Sequence, residues 1–274
     1  MKPEGVALVT GASRGLGRAV AVQLAVAGFD VVATMRDPSS SPDLRGELEA
    51  AAGEAGKDPR SLGTVTVGPL DVDRPETIDL PSDLRVLVNS AGIERRYLPV
   101  EAVPMDEWRA VFETNVFGLA EITRRAVPIL RANGGGVVCN VTSSSLLVPA
   151  PFYSVYRASK AAVQALGESL RTEVAPFGIR VVEIMPGPVD TDMLARSARE
   201  PEAAAEPGYE EMARAAHQGR LAVDDYITPA PAAARAVVDA IVSEAETLRW
   251  PCDELGGQLL RGWRADPEAS FGGA

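Results

Sequence analysis

A serine, a tyrosine and a lysine stand at spacings that suit proton transfer. The apolar run 136–142 (GVVCNVT) leads into Ser143; Tyr156 follows thirteen residues later and Lys160 four after that, in YRASK. Residues four apart on a helix share a face. An ammonium beside a phenol favours the phenolate and lowers the tyrosine pKa from about 10, which makes a usable acid/base near neutrality. A serine hydroxyl close by can hold a carbonyl oxygen. Asn115, in ETNVFG, is a polar residue among apolar neighbours and joins the candidate set. Composition draws attention to Lys160: the chain has 27 basic residues, of which only Lys2, Lys57 and Lys160 are lysines. Where arginine serves as the generic cation, a lysine in a core-like segment stands out, since the two differ in shape and acidity.

A second cluster lies near the start. TGASRGLG, residues 10–17, follows the apolar run Val6-Ala7-Leu8-Val9. Glycines inside a helix cost about 1 kcal/mol each against alanine, so Gly11, Gly15 and Gly17 belong to a turn between strand and helix. Such a turn lets backbone approach a pyrophosphate at a helix amino end, where N–H groups are free and the dipole is positive. A tight turn without ligand is the plainer alternative. In dinucleotide folds a carboxylate after the second strand holds the adenosine ribose. Here Met35 takes that place and Arg36 follows, with Arg14 in the loop. Two guanidinium groups near one ribose suit a 2′-phosphate. Against this, both arginines could be ordinary surface residues, and Asp37 could face Arg36.

These residues need a scaffold, and apolar runs alternate with helical patterns. Strands are expected at 5–10, 30–35, 64–70, 84–89, 136–142 and 179–185, with a short edge strand at 248–250. Helices are expected at 15–27, 44–55, 105–133, 155–175 and 229–245, the second with Pro42 and Asp43 at its start. Repeated β-α units imply a single doubly wound parallel α/β sheet with helices on both faces, one domain over 1–274. Residues 190–228 break the alternation and are expected to form a lid over substrate. Residues 265–274 are expected to fray.

The net charge of −11 disfavours nucleic acid and anionic membrane as partners. With no spanning apolar run and no room for a signal peptide before the first strand, a cytoplasmic protein is expected. Cys139 and Cys252 read as reduced and structural. His217 reads as a surface residue, and a single histidine leaves no His-cluster metal site.

Together, TGASRGLG, Asn89-Ser90-Ala91-Gly92, Asn115, Ser143, Tyr156-x-x-x-Lys160 and Pro186-Gly187 with Thr191 resemble the short-chain dehydrogenases/reductases. The likeness is close over 5–191. It implies that Gly11, Ser13, Arg14, Gly15, Leu16 and Gly17 line the pyrophosphate and adenosine side. Asp71 and Val72 would hold the adenine edge, and Asn89, Ala91 and Gly92 would underlie the ribose. Ser143 would orient substrate, Tyr156 would move the proton, and Lys160 would hold the nicotinamide ribose. Asn115 would anchor a relay water, and Pro186, Gly187, Val189 and Thr191 would hold the carboxamide. The implied activity is hydride transfer between NADP(H), favoured over NAD(H), and a carbonyl or secondary alcohol, in a homodimer or homotetramer.

The chain departs from the family pattern in places. NSAG stands for the commoner NNAG, the segment 71–84 has room for one helical turn only, and the usual glycine-rich finish is missing. ATMRDPS and LRWPCDELGGQLLRGWR look more like the steroid- and retinol-dehydrogenase branch, whose substrates are apolar. Leu146, Leu147, Phe152, Tyr153, Met193 and Leu194 are candidate pocket residues or plain core. Two rivals remain. An enoyl-thioester reductase would use Tyr153, seven residues before Lys160. A non-catalytic NADP(H)-binding sensor would share the glycine loop without needing the Ser-Tyr-Lys-Asn set. A sugar-nucleotide epimerase would need a different glycine spacing.

Overall fold

The computed structural model describes residues 1–41, 43–197 and 199–267. Seven strands form one parallel sheet: β1 (Val6–Val9), β2 (Asp30–Met35), β3 (Val65–Pro69), β4 (Leu84–Asn89), β5 (Gly136–Val141), β6 (Ile179–Met185) and β7 (Arg249–Pro251). Their order is β3-β2-β1-β4-β5-β6-β7. The chain winds outward from β1 through β2 to β3, then crosses back to lay β4 against β1. That reversal opens a crevice at the carboxyl ends of β1 and β4, where open α/β sheets bind ligands. The inner strands are continuous apolar runs because both faces are covered. β3 is the exception: it is largely exposed and ends on Pro69, whose missing N–H is tolerated at a sheet edge.

Helices α1 (Gly15–Ala27), α2 (Leu44–Glu54) and α8 (Ala230–Val242) cover one face. There Leu24, Val20, Val237 and Ile241 pack on Val9, Val86 and Ile184. On the other face lie α4 (Leu119–Ala132) and α5 (Ser154–Val174), whose Ile122, Leu130 and Val174 meet Leu8, Leu87 and Val138. Gly28, at φ 112°, ends α1 in the left-handed conformation that favours glycine. Cys139 and Cys252 are free thiols in the interior.

A polar row crosses this apolar sheet. Asn89 stands in register with Asn140, Asn140 with Glu183, and Glu183 with Arg249. Glu183 is fully buried, its Oε2 3.4 Å from Arg249 Nε. A Cβ on Gly167 of α5 would meet Glu183 Oε1 at 2.5 Å, so glycine is required to make room for the carboxylate.

Most element boundaries expected from periodicity hold to within a few residues. The single helix expected at 105–133 is instead three pieces: α3 (Met105–Phe112), a π-helical segment (Glu113–Gly118) and α4. Apolar spacing cannot register the inserted residue of a π-bulge, which commonly marks a functional site. Segment 75–77 is one turn of 3₁₀ helix, opened by Pro75. The final helix α9 (Glu254–Ala265) was not anticipated. Its glycines argue against helix, and burial of Leu260 with Met185 and Leu147 overrides them. Ala265, assigned to a frayed tail, closes that helix; the rest of the tail beyond residue 267, and Pro42 at the start of α2, lie outside the described residues. His217 is half-buried, not a surface residue.

Candidate active site

The glycine loop ends at the crevice. Gly11 has φ 68°, and a Cβ there would come within 2.8 Å of Ala91 Cα, so only glycine permits this approach to the loop after β4. A Cβ on Gly17 would sit 2.6 Å from the Gly11 carbonyl. The Thr10 hydroxyl ties the two loops: it donates to Val88 O at 3.3 Å and accepts from the N–H groups of Ser90 and Ala91 at 3.0 Å. Arg14 precedes α1 in an extended conformation with no side-chain cap, whereas Asp43 and Asp253 cap α2 and α9. The first-turn donors of α1, including those of Leu16 and Gly17, are therefore left for a ligand, and the residues present fit a dinucleotide pyrophosphate.

Beyond the loop, Met35 is buried and Arg36 exposed. The Asp37 carboxylate accepts from Ser39 N at 3.0 Å and Ser39 Oγ at 2.6 Å. Arg14 lies 3.5 Å from Asp192, an exposed pair of the weak kind. Ser13 beside it is half-buried. Asp71 accepts from Asp73 N at 3.2 Å, and Val72 packs against the glycine at 118 so closely that a Cβ there would meet its carbonyl at 2.7 Å. Asn89 turns its amide inward, donating to Thr123 at 3.0 Å and Asn140 at 2.9 Å.

The end of β5 and the start of α5 bring the proton-transfer set together. Lys160 Nζ donates to Val141 O at 2.8 Å and lies 5.7 Å from the centre of the Tyr156 ring. Ser143 sits in extended backbone at the strand end, its hydroxyl beside the phenol. A Cβ on Gly92 would touch both Asn115 Oδ1, at 3.4 Å, and Lys160 Nζ, at 3.5 Å, so this glycine joins the two.

Asn115 stands in the π-helical segment with its amide fully engaged. Oδ1 accepts from Ile93 N at 2.8 Å; Nδ2 donates to Ile93 O at 2.9 Å and to Ser159 Oγ at 3.0 Å. The Ser159 hydroxyl donates in turn to Tyr156 O at 2.7 Å. Asn115 thus fastens the loop after β4 to α5. A water on this residue would have to use its main-chain carbonyl or a remaining lone pair of Oδ1.

Electrostatics here correct the expectation drawn from Lys160. Burial pushes the Tyr156 phenol well above the ordinary range, and the charge of Glu94 and the Tyr153 phenol add to this, while Ser143 works against it. Burial lowers Lys160 to about 8. Desolvation is the largest influence on both groups, and the ammonium spends a hydrogen bond on the Val141 carbonyl. Tyr156 is therefore a protonated donor at neutral pH.

The Pro186-Gly187 ledge is braced by Asp253, a residue the sequence did not single out. Its Oδ2 accepts from Gly187 N at 2.5 Å while Oδ1 accepts from Gly256 N at 2.7 Å. Pro186 O accepts from Ser144 N at 2.8 Å, which joins the ledge to β5. Val189 pairs with Thr228 in an isolated parallel bridge. Thr191 Oγ1 donates to Val189 O at 3.2 Å, and its methyl would meet a Cβ on Gly15 at 3.3 Å.

Above Tyr156 is a small cleft of about 10 Å³, close to the room one water needs. Glu94, Tyr97, Phe152, Tyr153 and Val155 wall it. Tyr97 stacks on Tyr153 with centroids 4.7 Å apart. Phe152 meets Tyr209 edge-to-face at 6.1 Å; at φ 70° it is the sole non-glycine residue with positive φ among the described residues, a strained conformation typical of functional loops. Of the candidate wall residues, Leu147 belongs to the core with Met185 and Leu260, and Met193 is exposed. Glu94 and Tyr97 were missed, since IERRYLP carries no periodic or motif signal.

The described residues of 190–228 form α6 (Asp192–Ser197), α7 (Glu210–Leu221) and single 3₁₀ turns. Ala203 and Ala213 pack on Tyr97 and Phe152, and Tyr97 N donates to Glu202 Oε2 at 3.0 Å.

A doubly wound sheet with this glycine loop and this Ser-Tyr-Lys-Asn set defines a nicotinamide-dependent oxidoreductase. A sequence model of the short chain dehydrogenases matches residues 5–202. The chain is 38% identical over 192 residues to the uncharacterized oxidoreductase YusZ of Bacillus subtilis, covering 70% of this chain and 68% of the other. It is 36% identical over 195 residues to retinol dehydrogenase 8 of Bos taurus, covering 68% and 59%. A crystal structure of a short chain dehydrogenase from Burkholderia cenocepacia in complex with NADP superposes with a TM-score of 0.73 at 29% identity, covering 98% and 97%. The chain belongs to the short-chain dehydrogenase/reductase family and is an oxidoreductase acting on CH–OH and C=O groups. Among the described residues, no helix is long and apolar enough to cross a membrane.

Proposed function

We propose that this chain is an NADP(H)-dependent carbonyl reductase for a ring-bearing, largely apolar ketone. The observation that carries the reading is the placement of the Tyr156 phenol, protonated by burial and flanked by Ser143, at the floor of an aromatic cleft beside the crevice. A nicotinamide bound in the crevice would supply the hydride. Ser143 would hold the substrate oxygen, and Tyr156 would give that oxygen its proton. Lys160 would fix the cofactor ribose, and the Asp253-braced ledge would receive the carboxamide. Asn115 keeps the loop after β4 and the start of α5 in one geometry, as proton transfer over hydrogen-bond distances requires.

The cofactor preference rests on the end of β2. Buried Met35 offers no carboxylate to a ribose diol, and exposed Arg36 can meet a 2′-phosphate, as can Arg14 of the glycine loop once it leaves Asp192. The enoyl-thioester reading is weaker, because Tyr153 is stacked on Tyr97 within the lid cluster. A sensor would not need the Ser-Tyr-Lys set.

A panel of cyclic ketones, steroids, retinoids and aldehydes, followed by NADPH oxidation, tests the activity. Fluorescence titration of both cofactors tests the preference. NADPH is expected to bind more tightly than NADH, and Arg36→Ala to weaken NADPH roughly ten- to hundredfold, the worth of one charge-assisted hydrogen bond. Equal affinities in the wild-type protein would remove the NADP(H) assignment.

A further inference from the structure

The cleft above Tyr156 is walled by Tyr97, Phe152 and Tyr153, with Val155, Arg95 and Arg96 beside them and one carboxylate, Glu94. Glu94, two residues after Gly92, is 6% exposed, and its Oε1 has no hydrogen-bond partner among the described residues. The Tyr97 hydroxyl, on a residue also 6% exposed, lies close enough to the Glu94 carboxyl to act on its titration but makes no well-aligned hydrogen bond. Both side chains line the same cleft as Tyr156. Buried polar groups are nearly always paired, so two such groups on residues that line one cleft call for an explanation. One is an acceptor and the other can donate. A hydroxyl, which donates one hydrogen bond and accepts others, satisfies both at once.

Resting on the reductase reading above, we propose that Glu94 is the specificity-determining residue of this site. Its carboxylate receives a hydroxyl that the substrate carries on the carbon beside the reacting carbonyl, and Tyr97 donates to that same hydroxyl. The position follows from crowding: Glu94 and Tyr156 line one cleft of only about 10 Å³. The recognised group must therefore lie within a bond or two of the oxygen that Tyr156 protonates. Burial holds the Glu94 carboxyl up at about 7, while Tyr97 and Arg196 pull it down. A donor arriving with substrate supplies the partner that the protein withholds. A site built around a hydrogen bond rejects analogues lacking it much more strongly than an apolar wall rejects an extra group.

The test uses two ketones of equal size, α-hydroxycyclohexanone and α-methylcyclohexanone, with NADPH oxidation giving kcat/KM for each. The wild-type enzyme is expected to prefer the hydroxyketone roughly ten- to hundredfold. Glu94→Leu should bring the ratio to about one, and Tyr97→Phe should reduce it by a smaller factor. Glu94→Gln, a near-isosteric change, checks the same point if the leucine variant does not fold, and should reduce the preference in part. A wild-type ratio near one, as expected if the cleft holds only a water, overturns the proposal. So does a preference that survives in both Glu94 variants, with the two ketones slowed alike. If the wild-type protein turns over neither ketone, the reductase reading fails separately. Calorimetric binding of the two corresponding alcohols in the presence of NADP⁺ then decides Glu94: tighter binding of the diol, lost in Glu94→Leu, supports it, and equal binding refutes it.

Discussion

The Lys160 ammonium lies one helical turn from Tyr156 and 5.7 Å from the centre of its ring, yet its hydrogen bond goes to the Val141 carbonyl. The lysine is thereby pinned to the end of β5, the strand that also delivers Ser143. Three groups on two elements are held in one geometry by a bond that consumes none of the phenol's hydrogen-bonding capacity.

Tyr156→Phe keeps the ring and removes the transferable proton. Turnover should fall by about two to four orders of magnitude, the usual contribution of a general acid, while NADPH affinity stays near that of the wild type. Tyr153→Phe should chiefly alter KM, because this ring stacks on Tyr97 in the cleft wall. Steady-state kinetics with cofactor titration separate the two. A dead Tyr153→Phe beside an active Tyr156→Phe would restore the enoyl-thioester reading.

Lys160 is lowered to about 8 by burial, so it carries its charge below that pH and loses it above. Since kcat/KM reports ionisations of the free enzyme, the value for NADPH should fall as pH rises through about 8. Lys160→Met should give a low profile without that step. A wild-type profile flat from pH 7 to about 9 would contradict the placement of this titration.

Segment 190–228 packs on the cleft mainly through Ala203 and Ala213 against Tyr97 and Phe152, with Tyr209 as its one large ring in that cluster. Little apolar area holds it, so hydrogen exchange should be faster in α6 and α7 than in β4, β5 and β6. Adding NADP⁺ with an unreactive alcohol should slow exchange there selectively. Protection equal to that of the sheet in the free protein would exclude a lid.

Glu183 is raised to about 7 by burial, with Arg249 opposing. Its proton is held more tightly folded than unfolded, so its contribution to stability declines as pH rises from about 4.5 to about 7. Glu183→Gln removes that decline. Its stability relative to the wild type should be greater at pH 8 than at pH 4, by about 3 kcal/mol at most. Urea denaturation at both pH values checks this; an identical difference at both would mean that Glu183 titrates alike folded and unfolded.

The sequence by itself determined the sheet, the glycine turn and the proton-transfer set. These are local matters: apolar period, glycine where backbone must approach backbone, and Tyr156 and Lys160 on one helical face. It could not show that Asn115 sits in a π-bulge, because that insertion is set by bonds to Ile93 from another loop. Nor could it show Asp253 bracing Gly187, which joins residues 66 apart, or Tyr97 and Glu94 closing the cleft. The sign of the Tyr156 shift was also decided by the tertiary structure. Spacing brings an ammonium near a phenol, but only packing sets how much water each loses and where the ammonium turns, and here desolvation prevails.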